Sequence, residues 1–268
     1  MAIVLLLRHG HSTANEQGIL AGWTPGVGLT EQGRRQASDV ARRLSSVTLA
    51  RAVASPLQRC AETAALALAG ADTTPETDDR LGECHYGAWT GLHLAEAAQA
   101  DLWRLVQDDP AAATFPPHDV FRAESLLTMA QRVVGAVREL DAEIEAAHGS
   151  DAVWLAVSHG DPIKALVAEA VGAGLAGLQR VRVDPGSLSV VQITPTRMVL
   201  LASNTTQGDL APLVSVPRHT PAGDGAVGGG DGGDGLAVGP HAGAVERRSE
   251  QLSLAAVARA GEQQQRAV

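Results

Sequence analysis

The chain opens on an uninterrupted apolar run, Ile3 to Leu7, that stops at Arg8-His9-Gly10. The run is far shorter than the about 20 apolar residues of a membrane span, and it fits a strand buried on both faces. A second run, Val153 to Val157, ends the same way, in Ser158-His159-Gly160-Asp161, and Pro162 onward starts a helix. Shorter stretches predict strands at 51–54, 187–194 and 197–203, the last two joined as a hairpin through Thr194-Pro195-Thr196. Elsewhere the apolar spacing turns helical. Thr30 is a candidate N-cap for a helix striped by Gln36, Ala37, Val40, Ala41 and Leu44. Ser55-Pro56 suits the first turn of the next helix. Residues 92–109 read as helix, and Phe115-Pro116-Pro117 breaks the chain. A long helix is expected over 124–147, with Leu127, Ala130, Val133, Val134, Val137, Leu140 and Ile144 on its core face. The stretch after the first strand, with Gly22-Trp23-Thr24-Pro25-Gly26, reads as polar loop, as does 80–91.

This pattern fades late in the chain. Residues 1–212 read as one globular domain, large enough to bury a proper core. Residues 213–268 form a Gly/Ala-rich tail expected to be disordered, with a linker composition over 223–243 and a short helix as the alternative for 244–265. The net charge of −9 argues against nucleic acid as a partner, and any pocket for an anion must be locally basic against that field. Of 21 basic residues only Lys164 is lysine. Met1-Ala2 leads straight into strand, with no basic leader and no small-residue cleavage site. Two cysteines, Cys60 and Cys84, make neither a disulfide framework nor a zinc set. A cytoplasmic protein with reduced thiols, away from membranes, is expected.

Ligand crevices in open α/β sheets lie at the carboxyl ends of the strands, where Arg8, His9 and His159 fall. A guanidinium grips phosphate oxygens with its planar fork, a neutral imidazole can attack phosphorus, and Gly10 admits close backbone approach. For the bare tripeptide, a strand end with a solvated arginine and a loop histidine is the better reading. Arg59 lies one turn into its helix, either near the mouth of the preceding strand or as an exposed helix charge. Glu83 stands among apolar and aromatic neighbours in Leu81-Gly82-Glu83-Cys84-His85-Tyr86. Such surroundings would raise a carboxyl pKa, as a general acid needs, and a solvated loop glutamate is the alternative.

Taken together, the stretches LLLRHGHSTAN, GWTPGVGLTEQGRRQA, SPLQRCAETA, LGECHYGAWTGL and VSHGD resemble the histidine phosphatase superfamily, in its phosphoglycerate mutase-like branch. They occur in that family's order and cover residues 1 to about 205. The resemblance implies a mostly parallel central sheet with helices on both faces, an α/β fold that agrees with the strand–helix alternation above. It implies that His9 attacks phosphorus and that Arg8, Arg59 and His159 hold the equatorial oxygens. Glu83 would protonate the leaving oxygen and later activate water. Asn15, Gly22, Tyr86 and Gly160 would contact phosphate or substrate, with Trp23, Trp89, Leu94 and Phe115 rimming the pocket. No metal or other cofactor is implied, because the arginines take the role of a cation.

The family holds both mutases and phosphatases. His85, Tyr86 and Ala21-Gly22 are similar to the mutase pattern. Leu94 stands where mutases carry a substrate-binding lysine, and the mutase insertion with paired arginines is missing between Trp103 and Phe115. Asp161 stands where mutases have asparagine. Arg122-Ala123-Glu124-Ser125 resembles the phosphatase pattern before the long helix, with departures at Arg122 and Ala123. Losing those cations argues for phosphate transfer to water. A metal-independent hydrolase of a small phosphate ester is therefore the expectation. A phosphoglycerate-type mutase and a non-catalytic phosphate-binding module are the alternatives, and a homodimer is left open. Cys60 and Cys84, each next to a proposed catalytic residue, read as small buried residues, with an oxidation switch as the alternative hypothesis.

Overall fold

The structure, a computed structural model, describes residues 2–215. The linker expected at 223–243 and the helix weighed for 244–265 lie outside those residues. Six strands form one sheet: β1 (Ile3–Arg8), β2 (Arg51–Ala54), β3 (Glu76–Thr77), β4 (Val153–Ser158), β5 (Leu188–Ile193) and β6 (Met198–Thr205). The helices are α1 (Thr13–Gln17), α2 (Glu31–Leu44), α3 (Gln58–Ala67), α4 (Leu94–Ala97), α5 (Asp101–Asp108), α6 (Leu126–His148), α7 (Gly160–Ala170) and α8 (Ala211–Val214). Among the described residues, no helix is long and apolar enough to cross a membrane.

The strand order is β3-β2-β4-β1-β5-β6. The first four strands run parallel, and β5 and β6 add an antiparallel hairpin at one edge. Side chains alternate across a strand, so an all-apolar strand feeds two cores. Val4 and Leu6 of β1 join Trp154 and Ala156 of β4 on one face. Ile3, Leu5 and Leu7 join Val153, Leu155 and Val157 on the other. Helices α6 and α7 cover the first face, while α2 and α3 cover the second, where Leu213 and Val214 of α8 also pack.

Two helical expectations need correction. Residues 92–109 are not one helix but α4 and α5, separated at 98–100. Ala97 and Val106 both face the same core. At 3.6 residues per turn, positions nine apart lie about half a turn from each other, so a straight helix could not bury both. In α6 the expected core face holds, with Ala130 and Val134 packed against the core, except at its start, where Leu127 is replaced by Leu126. Leu126, Met129, Val133, Ala136, Val137, Leu140 and Ile144 are buried, whereas Leu127 is 43% exposed. Leu126 with Met129 offers more apolar bulk than Leu127 with Ala130, and packing follows the bulk. Leu126→Ala should therefore cost about 2–5 kcal/mol in a chemical-denaturation series, and Leu127→Ala less than about 1 kcal/mol. Equal losses would show that the face is assigned wrongly.

Candidate active site

β1 and β4 are neighbours in register, with Arg8 opposite Ser158. The chain then leaves β1 towards α2 on one face and β4 directly into α7 on the other. This divergence opens a crevice at the strand ends and sets His9 and His159 side by side, ring centroids 5.2 Å apart. Both imidazoles are buried. Burial, and then the Arg59 guanidinium, hold both rings well below the usual histidine range, so each is neutral at neutral pH. His9 Nδ1 lies 2.8 Å from the Gly10 carbonyl oxygen, which can only accept. That contact puts the proton on Nδ1 and leaves Nε2 unprotonated, where it accepts from the Arg59 Nε–H at 3.3 Å. His159 Nε2 is 2.7 Å from the Ser55 hydroxyl.

The loop carrying His9 is tied down tightly. Gly10 N–H donates to Thr63 Oγ1 at 3.0 Å, and that hydroxyl donates to the Arg59 carbonyl. A Cβ at Gly10 would come within 2.5 Å of the Gly33 carbonyl oxygen, so the loop and the start of α2 touch backbone to backbone. The stretch after it is not all loop, as the sequence suggested. Ser12 and Asn15 form a reciprocal cap that starts α1. The Ser12 N–H can only donate, so Asn15 Oδ1 must face it, and the Asn15 amide NH2 is left for the pocket it lines.

The helix expected from Ser55-Pro56 begins later, at Gln58; Ser55 Oγ pairs with His159 and also accepts the Leu57 N–H at 3.4 Å. This offset puts Arg59 in the first turn of α3, buried rather than exposed. Its Nη2 donates to the Gly22 carbonyl oxygen at 3.0 Å, and the φ of +47° at Gly22 is what turns that carbonyl inward. Arg8 Nη1 donates to the Val183 carbonyl oxygen at 2.6 Å. Among the described residues Arg8 Nε and Arg59 Nη1 are buried without any protein acceptor. Two buried guanidinium donors left unsatisfied are costly unless an anion takes them.

Glu83 is buried beside this cluster, with Oε1 accepting from the Cys84 N–H at 3.0 Å. Burial, reinforced by the Asp161 carboxylate and opposed by Arg59 and Arg8, pushes its carboxyl up to about 7. Tyr86 Oη donates to Asp161 Oδ2 at 2.9 Å; burial and then Asp161 push the phenol up, so it stays a donor.

A pocket of about 300 Å³ is lined by Arg8, His9, Asn15, Gly22, Arg59, Glu83, Tyr86 and Gly160. His159 stands behind it against His9. Trp89, Leu94 and Phe115 line its outer part as expected, but Trp23 does not. Trp23 instead stacks on His85, centroids 4.6 Å apart, and its indole N–H donates to the Glu83 carbonyl oxygen, fixing the loop that carries Glu83. The sequence did not single out Trp103, Val106, Gln107 and Gln179, nor a pocket role for Lys164; all line the outer half. The sole lysine three positions after Asp161 was the available signal. Cys60 and Cys84 are fully buried, and burial pushes the Cys60 thiol up to about 12 and the Cys84 thiol well up. Such thiols are the inert kind, in line with their reading as small buried residues and against the oxidation hypothesis.

The sheet, its flanking helices and the strand-end pocket place the chain in the phosphoglycerate mutase-like α/β class. It belongs to the histidine phosphatase superfamily, branch 1, whose profile matches residues 4–206. It is 38% identical over 192 residues to a bifunctional protein of Mycobacterium tuberculosis, a match covering 70% of this chain and 50% of that protein. The chain thus spans about half the length of the first curated relatives it matches. It is 29% identical over 211 residues to phosphoserine phosphatase 1 of Hydrogenobacter thermophilus, covering 77% and 93% of the two chains. The crystal structure of the alpha-ribazole phosphatase from Shigella flexneri superposes with a TM-score of 0.65 at 27% identity, over 76% of this chain and 96% of that one.

Proposed function

We propose that the chain is a phosphomonoester hydrolase working through a phosphohistidine on His9. The observation that carries the reading is the buried, neutral His9, its Nε2 unprotonated and oriented by the Arg59 Nε–H, with two further guanidinium donors left unsatisfied on Arg8 and Arg59. Nε2 attacks phosphorus as the bond to the ester oxygen breaks, and Glu83 gives its proton to the departing alkoxide. Arg8, Arg59 and Asn15 stabilise the charge spread over the equatorial oxygens, with the His159 ring supporting His9 from behind. Water then attacks the phosphohistidine. The Glu83 carboxylate takes its proton, and the P–N electron pair returns to Nε2. Hydrolysis is favoured over mutase chemistry because Leu94 lines the pocket where a mutase would carry a substrate-binding lysine, and the lysine that does line it, Lys164, is paired with Asp161.

The test is a panel of phosphate monoesters including 3-phosphoglycerate, in excess EDTA, with released phosphate and 2-phosphoglycerate measured together. Phosphate release that survives EDTA, with an acid-labile and base-stable phosphoenzyme on quenching, is the expected result. Isomerisation of 3-phosphoglycerate without phosphate release would make the chain a mutase. Binding of vanadate or phosphate without turnover would make it a binding module.

A further inference from the structure

The pocket has two chemically different halves. The inner half is cationic, and its cations are already committed. Arg8 is anchored on Val183, Arg59 on Gly22 and His9, and the donors left over, Arg8 Nε and Arg59 Nη1, are buried on residues that line the same pocket. The outer half holds one further cation, Lys164, and it is spoken for as well. Lys164 Nζ lies 3.3 Å from Asp161 Oδ1 and 3.4 Å from Gln179 Oε1. Asp161 is in turn pinned by Tyr86 on its other oxygen, and Gln179 by the Val106 carbonyl. The chain Tyr86–Asp161–Lys164–Gln179 thus carries no net charge and offers a second anion only a neutralised lysine beside a carboxylate. Apart from Gln107, the rest of the outer wall is apolar and aromatic. Trp89 stacks near Trp103, ring centroids 6.3 Å apart, and meets Phe115 edge-on at 5.4 Å.

We propose that this outer half takes an uncharged, ring-bearing alcohol portion of a phosphate monoester and turns away a second anion, with Asp161 as the residue that enforces the exclusion. A substrate carboxylate placed here would face Asp161 at short range, and like charges brought together in a partly desolvated pocket are strongly disfavoured. Selectivity then comes from the repulsive group as much as from the attractive wall. The inference rests on the phosphatase reading above and narrows its substrate class.

The test compares three primary alkyl esters, so that leaving-group acidity does not decide the outcome. Glycerol 3-phosphate and 3-phosphoglycerate differ in the carboxylate, and 2-phenylethyl phosphate adds a ring. In the intact protein kcat/KM should favour glycerol 3-phosphate over 3-phosphoglycerate by about tenfold or more, and 2-phenylethyl phosphate should exceed both. Asp161→Asn, whose amide oxygen still accepts from Tyr86, should shrink the glycerol-to-glycerate ratio by about fivefold or more, because Lys164 is released to meet the carboxylate. Lys164→Met should enlarge it. Comparable turnover of the two matched esters, or a ratio that neither substitution moves, would overturn the inference while leaving the phosphatase reading intact. Failure to hydrolyse all three, and any other monoester, would overturn both.

Discussion

Replacing His9 by alanine should lower kcat/KM for every ester by about 10⁴-fold or more, because it removes the proposed nucleophile rather than a binding contact. The loss should be independent of the leaving group, since no alcohol can depart without attack at phosphorus. The labelled phosphoenzyme should vanish with it. The fold should survive: His9 contributes a buried polar ring at the end of β1, not an apolar contact of either core. A far-ultraviolet spectrum and melting curve close to the wild type are therefore expected. The pH dependence should agree. Burial and the two flanking arginines hold the imidazole below its usual range, so the wild-type acid limb should lie below pH 6.5. A variant retaining more than about a tenth of wild-type turnover, or still accumulating base-stable phosphoenzyme, would assign the nucleophile elsewhere.

The parts of this site that a reader of the sequence can see are those written by local pattern. Two apolar runs, each ending in His-Gly, announce two buried strands with histidines at their tips, and the parallel β1–β4 pairing puts them together. Arg59 is legible as a motif residue, but its burial is not. Whether a first-turn arginine meets solvent or a pocket is set by partners distant in sequence, His9 50 positions and the Gly22 carbonyl 37 positions away. The same holds for the outer pocket, where Tyr86 meets Asp161 across 75 positions. Trp23 shows the limit most plainly. An aromatic in a polar loop beside the motif reads as pocket rim, yet His85 offers a flat partner and the Glu83 carbonyl an acceptor, and the ring turns away. In α6 two adjacent leucines offer two faces, and only the neighbouring Met129 decides between them.

Glu83→Gln should expose the stability cost that the proposed chemistry imposes. In catalysis, the amide keeps the contact with the Cys84 N–H but cannot give up a proton. Alkyl esters, whose alkoxides need one, should lose about 10²–10⁴-fold in kcat/KM, while p-nitrophenyl phosphate, which leaves as a stable anion, should lose far less. The wild-type kcat/KM for alkyl esters should fall as pH rises through about 7, where the carboxyl loses its proton, and that limb should be missing in the variant. In stability the sign is opposite. Folding moves the carboxyl from an ordinary 4.5 up to about 7, so between those values the folded chain binds the proton that the unfolded chain has released. Wild-type stability therefore drops as pH rises across that window, by about 1.4 kcal/mol per unit of displacement, or on the order of 3 kcal/mol in full. Above pH 7 the folded protein carries a buried carboxylate that Arg8 and Arg59 only partly offset, and the glutamine variant carries none. At pH 8 Glu83→Gln should melt higher than the wild type and be nearly inactive on alkyl esters, with the difference in melting closing towards pH 4.5. A variant less stable at pH 8, or one with the wild-type slope between pH 4.5 and 7, would mean that the carboxyl is not held protonated by its surroundings. The general-acid assignment would then lose its physical basis.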